Sequence, residues 1–279
     1  MNQFEKVIKE GYSFEMGKYF DEGWKYFSKG ALHLILYTLL FIIIYFIVGS
    51  IPFLNLGVYF VLYPLAGGMF IYFRNQEKQN PEFGDLFSGF NYFGQIALHL
   101  LVLFLMYIPA IVLMFAFIIP FDLFTEMMSG SPFGMQDYSY ELANKMENDI
   151  GMMVVAFLIL VAYSFYLSVS YMFVIPLIID GKLGFWEAME TSRKVVAKKF
   201  IIFFLFFLLL IIMYVFGIMA TCFLGTFVIV PFCAGIIFSA YNNIFKPNQD
   251  TLATQIAGFG QSSGDINTES EDENQNKIE

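Results

Sequence analysis

The chain has 279 residues, of which 58% are hydrophobic and 14% charged, whereas an ordinary soluble domain carries about 25% charged residues, so a water-soluble globular fold is excluded. The net charge of -9 is local: seven acids lie within 250–279 and six within 122–149, and the absence of any basic excess excludes nucleic-acid binding as a main activity. Cys222 and Cys233 are the only cysteines, too few for a disulfide framework or a CxxC metal or redox site, and they read as small buried hydrophobes.

The first 30 residues hold five lysines and five acids with no apolar h-region, so they read as an amphipathic segment on the cytoplasmic side rather than a cleaved leader. Gly30 to Phe73 then runs without an Asp, Glu, Lys or Arg. About 20 apolar residues cross a bilayer, so this stretch predicts spans at 31–49 and 56–73, with Gly49, Ser50, Pro52 and Asn55 supplying the turn. A third span is predicted at 96–119, kinked by Pro109, and a fourth at 151–175, bent near Pro176. Phe200 to Phe245 is long enough for two more, at 200–220 and 224–244, joined by a turn at 220–225. The fold class is therefore all-α, with about six transmembrane helices in a 31–245 domain. Residues 122–149 form an extracytoplasmic loop, and 247–279, rich in Gln, Asn, Ser and acids, form an acidic cytoplasmic tail expected to be disordered.

Lysine and arginine set the orientation. The segments before span 1, between spans 2 and 3, between 4 and 5, and after 6 hold 14 of the 15 cations, and the 122–149 loop holds only Lys145. The positive-inside rule places both termini in the cytoplasm. The expected location is a cell membrane, crossed several times.

An internal repeat emerges next. Gly23 to Leu34, GWKYFSKGALHL, matches Gly89 to Leu100, GFNYFGQIALHL, at seven of twelve positions, including both histidines of the chain. Each copy precedes a span and carries aromatics at helical spacing: Phe20, Trp24 and Phe27 in the first, Phe83, Phe87, Phe90 and Phe93 in the second. A third segment, 184–199, has the same layout, with Trp186, Met189, Ser192 and Val196 on one stripe and Glu187, Glu190, Arg193, Lys194 and Lys198 opposite. The chain parses into three modules, each an amphipathic interfacial helix followed by two spans.

The stretch 174–200, VIPLIIDGKLGFWEAMETSRKVVAKKF, carries Pro176, Asp180, Glu187, Ala188, Ser192, Arg193 and Lys194. An apolar helix ending in Pro and an acidic turn, followed by Glu-Ala-x-x-x-Ser with basic residues, resembles the signature of uncharacterised bacterial YciC-like multi-pass proteins. These are related to the membrane domain of some glycerophosphoryl diester phosphodiesterases. The resemblance covers about 15–245 and implies a helical domain in a bacterial inner (cytoplasmic) membrane, without an assigned catalytic role; the soluble phosphodiesterase domain has no counterpart in this sequence.

Chemistry-bearing candidates are few. His33 and His99, equivalent in the two copies, would lie at similar depth and could hold a metal or haem or relay protons, but their helices supply no convergent Cys, Asp or Glu, and bonding to headgroups or backbone is the preferred role. No nucleophile elbow, phosphate loop or HExxH helix occurs. Ser164 with Ser168, and Gly235 with Ser239, have the small-xxx-small spacing of close helix contacts. The reading is a non-enzymatic integral membrane protein without catalytic, cofactor-binding or metal residues. It would be a scaffold or accessory factor in envelope maintenance, membrane-protein assembly or lipid handling, with membrane lipids and other membrane proteins as partners and no nucleic acid. The alternative is a small-solute transporter or channel.

Overall fold

The computed structural model describes residues 3–51, 57–78, 81–118 and 150–246. The expected 122–149 loop and 247–279 tail lie outside them. The described residues are helical: α1 (Gln3–Glu10), α2 (Met16–Lys29), α3 (Ala31–Gly49), α4 (Val58–Glu77), a 3₁₀ helix (Phe83–Tyr92), α5 (Phe93–Ile118), α6 (Ile150–Ser170), α7 (Val174–Ile179), α8 (Phe185–Lys198), α9 (Phe200–Ala220) and α10 (Thr226–Phe245).

Among the described residues five stretches are long and apolar enough to cross a membrane: Ala31–Gly49, Phe83–Met114, Val154–Ile179, Phe200–Ala220 and Thr226–Phe245. In hydrocarbon every backbone polar group must be paired within the segment, which is why uncharged runs of this length are helical. The expected span at 56–73 coincides with α4, which differs from the five. Its last turn carries Arg74 and Glu77, and it is enclosed by neighbours from Leu62 to Phe73.

The two helices of each module play different parts. The first spans are peripheral: only 17% of the most apolar window of α3, of the 3₁₀–α5 stretch and of α9 is buried, against 28% for Val154–Ile179 and 44% for α10. The second spans α4, α6–α7 and α10 form the centre, where the Phe173 and Phe245 rings lie 5.6 Å apart and the Phe73 and Phe238 rings 5.7 Å apart.

Each second span docks on the amphipathic element of the next module. α4 packs on the 3₁₀ helix, α6–α7 on α8, and α10 returns to α2, so the three modules close into a ring. Two of these crossings are made at glycines. A Cβ on Gly89 would stand 1.9 Å from the Pro64 carbonyl oxygen, and one on Gly68 would strike the Leu86 carbonyl at 1.7 Å. Where α2 crosses α10, a Cβ on Gly23 would lie 2.9 Å from the Ile236 backbone nitrogen, and one on Gly235 3.0 Å from the Gly23 carbonyl. Side-chain-free positions let two backbones approach, as in close helix pairs in membranes.

Two expectations need correction. The apolar stripes of the amphipathic elements are divided between the bundle and the outside. The 3₁₀ helix buries Leu86 and Gly89 and turns Phe83, Phe87, Phe90 and Phe93 outward. Similarly, α8 buries Ala188, Met189, Ser192 and Val196 while Trp186, expected on the same stripe, is 63% exposed, because the bundle supplies a better apolar partner than the headgroup region. The kink expected near Pro176 is present as an interruption of the fourth span at Tyr171–Phe173, one turn before a proline that cannot donate to the Met172 carbonyl. Finally, Ser168 is exposed and not packed at a helix contact, and the Ser164 and Ser168 hydroxyls donate to the Leu160 and Ser164 carbonyls of their own helix. The Gly235/Ser239 pair does face a neighbour, the α2 helix.

At the opposite end, α9 and α10 are joined by a tight turn in which Cys222 (φ 49°) and Phe223 (φ 71°) are left-handed. Thr221 holds it: its hydroxyl donates to the Gly217 carbonyl and accepts from the Gly225 N–H, both at 2.6 Å.

Candidate functional site: a polar hub where three modules meet

The C-terminal ends of the three second spans converge. Asp180 closes α7, Arg74 sits in the last turn of α4, and Lys246 follows α10. Lys246 Nζ lies 2.6 Å from the Asp180 carboxylate and Arg74 Nη1 3.7 Å from it, while the Tyr241 hydroxyl donates to Asp180 at 3.3 Å. The Asp180 side chain is only 12% exposed, so this carboxylate is largely removed from water and draws on a partner from each of the other two modules. Its position follows from the sequence: Pro176 is buried in the short helix α7, whose end delivers Asp180 to the centre, and Gly181 allows the chain to turn against the Phe4 ring.

A second layer surrounds this pair. The Tyr26 hydroxyl and the Asn242 amide both donate to Glu77, at 2.6 and 2.7 Å. Tyr19 donates to Asn243 at 2.9 Å, and the Ser239 hydroxyl donates to Glu22. Burial, followed by the Glu77 carboxylate it faces, pushes the Tyr26 phenol well above its ordinary value, so it remains a donor. Thus α2 of the first module is bonded to α4 of its own module and to α10 of the third.

Ser192 explains the broken span. At the interruption between α6 and α7 its buried hydroxyl donates to the Ser170 carbonyl at 2.7 Å and accepts from the Phe173 N–H at 3.4 Å, supplying to the break the partners that a continuous helix would have provided. Ala188, fully buried one turn earlier, lets α8 approach. The rest of the motif is peripheral: Glu187 is exposed, and Arg193 and Lys194 both pair with Glu190 on the surface of α8, at 2.9 and 3.2 Å. Burial raises the Glu190 carboxyl, but the hydrogen bonds and charges of these two cations together outweigh it and hold the group below its usual range.

The histidines do not converge. His33 Nδ1 lies 2.9 Å from the Tyr72 hydroxyl and its ring stands against Phe83. His99 is 2% exposed, between the rings of Tyr63 and Tyr171, with Nδ1 unpartnered. Tyr63 and Tyr72 are nine residues apart on α4, about 13 Å along the axis at 1.5 Å per residue, so the two imidazoles do not share a site. Among the described residues no three His, Cys, Asp or Glu side chains are grouped to hold a metal ion.

The sequence reading missed Arg74, Glu77, Glu22, Tyr241, Asn242 and Lys246. Three of these flank spans and read as positive-inside markers or loop charges; the polar run at 239–243 in an otherwise apolar helix was the signal. Tyr37 was also missed. Fully buried, it donates to the carbonyls of Leu65 and Leu86 at 2.9 and 2.6 Å, fastening the first module to the 3₁₀ helix of the second. No protein-family profile matches this chain, and neither a curated protein nor a solved structure shows significant similarity to it.

Proposed function

We propose that this integral membrane protein is a non-enzymatic scaffold or accessory factor, acting in envelope maintenance, membrane-protein assembly or lipid handling. One observation carries the reading. The three first spans leave most of their apolar surface outside the bundle, 17% buried in each, while the polar side chains that do meet are consumed in joining module to module through Asp180, Glu77 and Ser192. Such a molecule commits its centre to rigidity and its periphery to lipid or partner helices. The distribution of lysine and arginine favours both termini in the cytoplasm; in that orientation the hub and Trp24, Trp186 and the 3₁₀ aromatics lie on the cytoplasmic side, at the level where such rings are at home.

The matching positions of Gly23 and Gly89 at backbone crossings support the internal repeat. A small-solute transporter or channel is the second reading. It is favoured by the interrupted span beside the buried His99, since discontinuous helices near the bilayer interior recur at transport sites.

Crosslinking in native membranes, with identification of the attached lipids and proteins, tests the first reading against the second. Adducts on α3, α5 and α9 with defined membrane partners are expected. Solute flux by purified protein in liposomes, abolished by His99→Ala without loss of folding, would overturn the scaffold reading in favour of transport.

A further inference from the structure

The buried side chains of the bundle gather toward the hub end: Leu62 to Phe73 on α4, Phe203 to Leu210 on α9, and Ile236 to Phe245 on α10. Toward the other end the helices pack less. There α5 and α6 leave between them a half-open apolar cleft of about 260 Å³, lined by Pro109, Ala110 and Met114 on one side and by Ala156, Leu160 and Tyr163 on the other. Its origin lies in the sequence. Pro109 contributes no backbone donor to the ladder of α5, which runs on through it, and Ala110 and Ala156 give the two walls only methyl groups to fill the gap.

The chemistry of the wall selects the occupant. No charged residue lines it, and its one polar group is already used, the Tyr163 hydroxyl donating to the Met106 carbonyl at 3.0 Å. Nothing there can pay for stripping water from an ion, a sugar or a headgroup, and an apolar cavity of this kind stays dry and takes apolar guests. The volume is below the 300–1,000 Å³ typical of pockets that enclose a whole small molecule. It therefore suits a segment of a longer apolar chain whose remainder lies in the surrounding bilayer, into which both walls are embedded by their hydropathy.

We propose that the cavity between α5 and α6 is a binding site for one acyl chain of a membrane phospholipid. The inference rests on the lipid-handling branch of the scaffold reading and gives it a location.

The test uses full-length protein in liposomes containing a phospholipid with a diazirine in its acyl chain, followed by mapping of the adducts. In the unaltered protein, crosslinking at Met114 and Leu160 should exceed that at the fully lipid-facing Phe216 of α9 at least fivefold. Ala156→Phe, and separately Ala110→Leu from the opposite wall, should each cut the cavity adducts about tenfold and leave Phe216 unchanged. Equal labelling of cavity and Phe216 in the unaltered protein, or cavity adducts unmoved by a variant that retains its thermal unfolding transition, would overturn the proposal as ordinary annular lipid. Solute flux in the same liposomes bears only on the scaffold reading, so the two failures are distinguishable.

Discussion

Asp180 and Lys246, 2.6 Å apart, come from the ends of the second spans of the second and third modules, and Arg74 brings the first module to the same carboxylate. Removing one member of a largely buried ion pair leaves the others uncompensated. Asp180→Ala is expected to cost about 2–4 kcal/mol, measured as a loss of unfolding free energy in detergent. Lys246→Met should cost less because its side chain is 37% exposed, and a double-mutant cycle should return a coupling above about 1 kcal/mol. A coupling near zero would reduce the pair to surface decoration.

The glycine crossings make a sharper steric prediction. Gly89→Ala places a methyl 1.9 Å from a backbone oxygen that cannot swing aside, so α4 and the 3₁₀ helix must separate, with a loss above about 2 kcal/mol as in other overpacked sites. Gly94→Ala, with nothing within 4 Å, should be neutral or slightly stabilising. Thermal unfolding of the two variants side by side decides the matter.

Ser192→Ala leaves the Ser170 carbonyl without its donor at the helix break. The expected penalty is about 1–3 kcal/mol, the cost of an orphaned buried acceptor. Amide exchange at Phe173, whose N–H also meets this hydroxyl, should quicken while exchange in α4 stays put.

Much of the architecture was legible because charges are so costly in hydrocarbon: the lengths of α3, α9 and α10 follow from charge-free runs alone. What the runs could not reveal was which spans sit inside. The burial of α4 and α10 is set by glycines and by Tyr37, Ser239 and Asn242, residues whose partners lie far along the chain. Asp180 and Ser192 were visible as a motif, yet their roles depend on Arg74, Lys246 and Ser170, and no local spacing brings those together. Trp186 faced outward because periodicity identifies a stripe but not its edge.

The surface pair on α8 has a predictable acid limit. Since Arg193 and Lys194 hold the Glu190 carboxyl below its unfolded value, the stabilisation is complete above that unfolded value and is lost as pH falls through the lower folded one. Exposure limits the effect to about 0.3–1 kcal/mol. Glu190→Gln should therefore destabilise slightly at pH 7, and the difference from the unaltered protein should vanish once the pH has fallen below the folded value, as read by unfolding midpoints.

Ring closure of the three modules is tested most directly by joining its first and last elements. In a Cys222→Ser, Cys233→Ser background, Glu22→Cys and Ser239→Cys place thiols where two side chains now share a hydrogen bond. A short bifunctional thiol reagent applied in native membranes should give an intramolecular crosslink in most molecules, linking α2 to α10. Absence of that crosslink with both thiols reactive, or crosslinking only between separate copies, would contradict the closed arrangement.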